Sequence, residues 1–185
     1  MPVHRVRTPF LIAIGGLSGT GKSTLARALI GEFDDQARVL RSDVERKAMF
    51  GVSEVTPLGA AGYTAQATAA VYAHLTTQAK ITLESGQSVL VDAVYARALE
   101  RDAIQSVADM LRVPFAGFWL EAPLGVRVAR IAGRRDDASE ATATIAARQE
   151  RYDLGDLRWH RIDAGQAPDV TLAQASAAGM TMFSA

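Results

Sequence analysis

The sequence predicts an α/β fold, a three-layer sandwich in which a five-stranded parallel sheet lies between helices. Short apolar runs alternate with helical patterns along the chain, as a parallel sheet with helical crossovers requires. Its 185 residues and 49% hydrophobic content suit one domain, residues 1–185, with a sizeable core. A glycine-rich turn also separates the first apolar run from the first helical pattern.

Strands are expected at 10–15, 38–41, 88–92, 115–120 and 159–162. After the glycine-rich turn, Thr24 to Ile30 has helical character, and a further helix is expected from Val44. The alanine-rich stretch 60–83 reads as one long helix or two broken ones, in which Tyr63, Tyr72 and His74 are packing or surface residues. Further helices are expected at 97–111, 124–132, 140–152 and 169–178, with a short lid at about 133–140 in a charged turn. Trp119 and Trp159 fall in strands and read as core; His4 and His160 have no partner at metal-ligand spacing.

Lysine plus arginine and aspartate plus glutamate each total 20, so no excess charge points to a nucleic-acid or membrane partner. Cysteine is absent, which excludes disulfides and thiolate metal sites and fits a reducing compartment. No apolar stretch approaches the ~18 residues of a membrane helix, and the basic start leads into an apolar segment too short for a signal peptide. A cytoplasmic location is the expectation.

The run Gly16-Leu17-Ser18-Gly19-Thr20-Gly21-Lys22-Ser23, followed by Thr24, is a phosphate trap. Its glycines allow turn conformations in which successive backbone N–H groups converge on a nucleotide phosphate. Lys22 reaches the β- and γ-phosphates. Ser23 opens the helix whose positive end favours anions, and its hydroxyl is the expected ligand of a magnesium ion.

Two carboxylates complete the arrangement. In a parallel sheet the carboxyl ends of the strands share one edge, so Asp43 and Asp92 should face the same crevice as the loop. Asp92 is a candidate magnesium ligand beside Ser23, or else a helix cap before Tyr95. Asp43 is a candidate base for the acceptor hydroxyl, or the cap of the helix from Val44. Alanine follows Asp92 where motor ATPases often place a water-polarising glutamate, and the chain has no asparagine, so the guanine-reading motif of GTPases cannot exist. Transfer to an alcohol fits better than hydrolysis.

Charge at the transferring group points to arginines. Arg127, Arg130 and Arg134 fall at i, i+3 and i+7 on one helix face and can point together at a ligand. The alternative is a solvated basic face paired with Asp136 and Asp137, the preferred reading for Arg127 and Arg135. Arg46, one helical turn after Asp43, is either an acceptor contact or a surface arginine.

The phosphate loop, the segment Arg41-Ser42-Asp43-Val44-Glu45-Arg46-Lys47, the triplet Val91-Asp92-Ala93 and the run Asp136-Asp137-Ala138-Ser139-Glu140-Ala141 together resemble predicted P-loop kinases of the AAA-domain type. That family also occurs fused behind aminoglycoside-phosphotransferase-like domains. It is similar to polynucleotide kinase, gluconate kinase, chloramphenicol phosphotransferase and zeta toxins. The resemblance implies a P-loop NTPase sandwich of the nucleoside-monophosphate-kinase type. The stretch Arg130-Ile131-Ala132-Gly133-Arg134 resembles the lid entry of adenylate kinases, which implies adenine stacking for Arg130 and phosphate contact for Arg134. Asp163 and Gly165 stand where related kinases hold adenine through backbone groups.

The expected activity is an ATP- and Mg²⁺-dependent transfer of the γ-phosphoryl group to a hydroxyl of a small molecule. Lys22, Asp43, Arg130 and Arg134 are its candidate catalytic residues, and Asp43 and Arg46 its acceptor contacts. The alternatives are a polynucleotide or nucleotide kinase, and an ATP-binding regulatory module without transfer activity. Arg134→Ala is expected to lower turnover more than nucleotide affinity in steady-state kinetics with parallel binding measurements; equal losses indicate ground-state binding.

Overall fold

The computed structural model describes residues 8–133 and 138–184. Strands β1 (Leu11–Gly16), β2 (Arg38–Arg41), β3 (Val89–Asp92), β4 (Phe115–Glu121) and β5 (His160–Asp163) form one sheet in the order β2-β3-β1-β4-β5. Every neighbouring pair is parallel. The helices are α1 (Lys22–Phe33), α2 (Ser42–Met49), α3 (Ala65–Glu84), α4 (Ala98–Leu111), α5 (Leu124–Ala132), α6 (Ala143–Gln149) and α7 (Pro168–Ser184). None is long and apolar enough to cross a membrane, among the described residues.

The three central strands β3, β1 and β4 are buried on both faces, and alternate residues serve opposite layers. From β1, Leu11 and Ala13 join the core under α3 and α4, while Ile12 and Ile14 join the core under α1 and α7. Each such Leu or Ile side chain contributes about 1.5–3 kcal/mol by leaving water. Chain order reverses across β1, which has β3 on one side and β4 on the other, so the crevice at its carboxyl end is the sheet's switch point.

Helix boundaries depart from the sequence expectations for identifiable reasons. The stretch 60–83 breaks at Thr64, which follows a 3₁₀ turn (Gly59–Tyr63) and caps α3 by accepting the Ala67 N–H at 3.1 Å. Helix α2 starts at Ser42 directly from β2, with Arg41 as its N-cap, so Asp43 lies in the first turn and not at the cap position before Val44. Helix α6 spans only Ala143–Gln149, because Thr142 caps it through the Ile145 N–H and Glu140 is bonded elsewhere. Helix α7 continues past 178 because Phe183 packs on Phe10 and Phe33, with ring centroids 5.0 and 5.5 Å apart.

Trp119 lies in β4 and Trp159 just precedes β5, both buried as expected. Trp159 lies flat on Gly117, where an added Cβ would come within 2.6 Å of the indole; together the two indoles also cover Gly15. Gly117→Ala is therefore expected to destabilise the fold by about 1–3 kcal/mol through overpacking, read from urea denaturation.

Candidate active site

The phosphate loop leaves β1 at Gly16 and enters α1 at Lys22. Gly16, Gly19 and Gly21 have φ of 141°, 86° and 99°, all in the positive region that favours glycine. At Gly19 there is a second constraint, since an added Cβ would approach the Arg127 carbonyl oxygen to 2.5 Å. The loop thus rests directly on α5. Lys22 Nζ donates to Gly16 O at 2.8 Å and to Leu17 O at 3.3 Å, which draws the ammonium across the loop's concave face.

Ser23 Oγ donates to Asp92 Oδ2 at 2.5 Å. Helix α4 begins at Ala98 with Arg97 as its N-cap, so the alternative role of Asp92 as a helix cap is not what is found. The carboxylate is 4% exposed, and burial pushes its pKa above the ordinary value. Lys22, the Ser23 hydrogen bond and Arg41 act against that shift, and Asp43 adds to it. Two hard oxygen donors at the start of α1 and the end of β3 suit a magnesium ion. Among the described residues no group of three or more acidic or histidine ligands competes for that role.

Asp43 lies at the same sheet edge, close enough to raise the pKa values of both Asp92 and Tyr63. Arg46 is not the surface residue that was its alternative. It is 5% exposed, donates to Gly62 O at 2.6 Å and carries the Tyr63 ring over its guanidinium at 4.7 Å. Lys47 beside it is 1% exposed and pairs with Glu140 at 3.6 Å. Glu140 also accepts the N–H groups of Leu58 and Gly59 at 2.8 and 3.3 Å, and so joins the segment after α5 to the wall beside Asp43.

The arginines on α5 divide their work. Arg127 corrects the solvated-face reading: it is 1% exposed, donates to Ser18 O at 3.3 Å and pairs with Glu150. It is a strut under the loop. Arg130 donates to Thr20 O at 3.3 Å, Ala164 O at 2.7 Å and Gln166 O at 2.9 Å. It lines a cleft of about 390 Å³ with Gly19, Thr20, Gly21, Ser23, Thr24 and Arg27. The Asp163 carboxylate closes its own turn by accepting from Gly165 N at 2.8 Å and Gln166 Nε2 at 2.9 Å, bonds that lower its pKa. Ala164 O and Gln166 O are thus engaged by Arg130, and the Gly165 N–H by Asp163. Arg134, Arg135, Asp136 and Asp137 lie outside the described residues.

Sequence reasoning missed three supports. Gln149 Oε1 accepts the Ser18 N–H at 2.7 Å, which fixes the loop from α6. Arg101 donates to the carbonyls of Tyr95, Ala96, Leu154 and Asp156 and anchors the segment after Asp92. Arg41 stands 3.7 Å from Asp92 Oδ2 through Nε. The sequence signal for Arg41 was its place at the end of β2, immediately before Ser42-Asp43.

Sheet order, phosphate loop and paired Ser23 and Asp92 define a P-loop kinase-like nucleotide-binding domain. The chain belongs to the AAA domain family, which matches it over residues 11–154. It is 31% identical over 176 residues to Uncharacterized protein Rv2004c of Mycobacterium tuberculosis, a match covering 89% of this chain and 34% of that protein. The chain thus spans about a third of the length of that relative. Among solved structures it is similar to the Mycobacterium tuberculosis APS kinase CysC in complex with AMPPNP and APS, with TM-score 0.69, 20% identity and coverage of 96% and 99% of the two chains. A gluconokinase from Sinorhizobium meliloti 1021 superposes with TM-score 0.68, 20% identity and coverage of 96% and 95%. At these identities the two structures support the fold.

Burial of Asp92 generates a prediction. Because its folded pKa lies above the unfolded value, its charged form costs stability once pH exceeds that folded pKa, and the cost disappears below the unfolded value. Asp92→Asn should therefore raise the melting temperature of the nucleotide-free protein near neutral pH. The difference from wild type should shrink on acidification below pH 4 and should reverse in magnesium with nucleotide, all followed by thermal denaturation.

Proposed function

We propose that this chain is an ATP- and magnesium-dependent kinase that moves the γ-phosphoryl group to a hydroxyl of a small molecule. The observation that carries the reading is the 2.5 Å contact between Ser23 Oγ and Asp92 Oδ2 at the mouth of the phosphate loop. These two oxygens would hold the magnesium ion, which supplies charge neutralisation at the phosphates when bound. Lys22 and the loop amides hold the β- and γ-phosphates. Arg130 fixes the nucleoside side of the cleft through Thr20, Ala164 and Gln166.

Asp43 is the base of this reading. It lies in the first turn of α2, at the edge of the sheet that carries Asp92 and the loop. As the acceptor oxygen bonds to the γ-phosphorus, the bond from phosphorus to the β,γ-bridging oxygen breaks, ADP departs, and Asp43 takes the hydroxyl proton. Arg46 and Tyr63 form the wall beside it, where an acceptor would lie. The solved relatives act on gluconate and adenylyl sulfate by their names, and both compounds belong among the acceptors to try.

The test supplies magnesium and ATP labelled at the γ-phosphate with sugars, gluconate, aminoglycosides, chloramphenicol, adenylyl sulfate, nucleosides and 5′-hydroxyl oligonucleotides. Label is expected on one acceptor class, with Asp43→Asn lowering transfer by at least about a hundredfold while ATP affinity stays within about threefold. Transfer within about tenfold of wild type in Asp43→Asn removes the general base from the mechanism. Tight ATP binding with no labelled acceptor moves the chain to the regulatory-module alternative.

A further inference from the structure

The transferring phosphoryl group carries its charge on equatorial oxygens, and cations must lie beside them. In this site the two carboxylates Asp43 and Asp92 make that need greater, because both repel an approaching phosphate. The arginines of α5 do not fill it. Arg127 is committed beneath the loop to Ser18 O and Glu150, and Arg130 to three backbone carbonyls on the nucleoside side.

Arg41 stands in the right place. It is the last residue of β2, and its Cα is the register partner of Asp92 in the neighbouring parallel strand, so both side chains emerge on one face of the sheet. Its Nε lies 3.7 Å from Asp92 Oδ2, the same oxygen that accepts the Ser23 hydroxyl. That distance is an ion pair and not a hydrogen bond. The side chain is 21% exposed, so part of it meets solvent while its Nε stands beside the buried carboxylate. Asp43 follows two residues later in the first turn of α2.

We propose that Arg41 is a catalytic residue that donates N–H groups to the equatorial oxygens of the γ-phosphoryl group during transfer, from the side of the sheet that carries Asp43. The proposal rests on the kinase reading above. In that step the phosphorus passes from the β,γ-bridging oxygen of ADP to the acceptor oxygen, whose proton goes to Asp43, and the charge of Arg41 is unchanged throughout. The guanidinium fork matches two phosphoryl oxygens at once, which a lysine cannot do.

The test needs no acceptor. Isothermal titration of the full chain in magnesium compares ADP, ATP and ADP with aluminium fluoride for wild type, Arg41→Gln and Arg41→Lys. A group that touches only the γ-phosphoryl position leaves ADP affinity within about twofold. Arg41→Gln is expected to abolish the preference for ATP over ADP and to weaken capture of ADP with aluminium fluoride about a hundredfold, the scale of one lost charge-stabilising donor. Arg41→Lys, which keeps the charge beside Asp92, is expected to recover part of that capture and supplies the comparison where the glutamine variant does not fold. Equal losses for ADP and ATP reveal a merely structural arginine and overturn the proposal. So does capture of ADP with aluminium fluoride within about twofold of wild type in both variants. Wild-type protein that binds neither nucleotide overturns the kinase reading and this proposal with it.

Discussion

The hydrogen bond from Ser23 to Asp92 joins the first turn of α1 to the end of β3, and the arrangement of the crevice depends on it. It exists because β1 and β3 pair in parallel with Ile14 opposite Asp92, which sets the carboxylate level with the start of the loop. Burying that carboxylate is unfavourable taken alone, as its raised pKa shows. The surroundings offset the cost with Lys22, Arg41 and the serine hydroxyl, all of which favour the charged form. A carboxylate held in this way carries charge that a divalent cation could offset more completely than the protein does, which is why the proposed function gives Asp92 the metal.

The supports of the loop are as specific as the loop itself. Gly19 admits no side chain because the backbone of α5 lies against it, and Arg127 crosses from α5 to the loop and to the end of α6. Gln149 adds a hydrogen bond to Ser18 from α6. The loop amides are therefore arranged without a ligand, as electrostatic preorganisation requires of the proposed phosphate site. On the opposite wall, Glu140 gathers Lys47, Leu58 and Gly59 from two distant segments.

The fold was legible because its signals are local. Alternating apolar residues, a glycine turn and helical spacing are read within windows of ten or so residues, and the strands and helices α4 and α5 fell within a residue of expectation, whereas α1, α3, α6 and α7 ended where caps and packing set them. The same spacing that placed Arg127, Arg130 and Arg134 on one face could not say which neighbours that face meets, and Arg127 and Glu150 are 23 residues apart in sequence. Arg46 misled for a similar reason: its partners Gly62 and Tyr63 lie beyond a loop whose path local pattern does not determine. Asp92 and Ser23 were found because strand order alone brings them together, whereas Gln149, Arg101 and Glu140 act on backbone groups that no sequence motif marks.

Gly15, the residue immediately before the loop's first glycine, lies under both indoles of the chain. An added Cβ there would stand 2.9 Å from Trp119 and 3.1 Å from Trp159, and the sequence contains no further tryptophan. Trp159 also meets the Tyr95 ring at 5.1 Å, on the segment that follows Asp92. The chain's tryptophan fluorescence consequently arises from chromophores seated at the root of the glycine-rich turn. Occupancy of that turn can be followed by tryptophan emission, without an attached dye or a modified nucleotide.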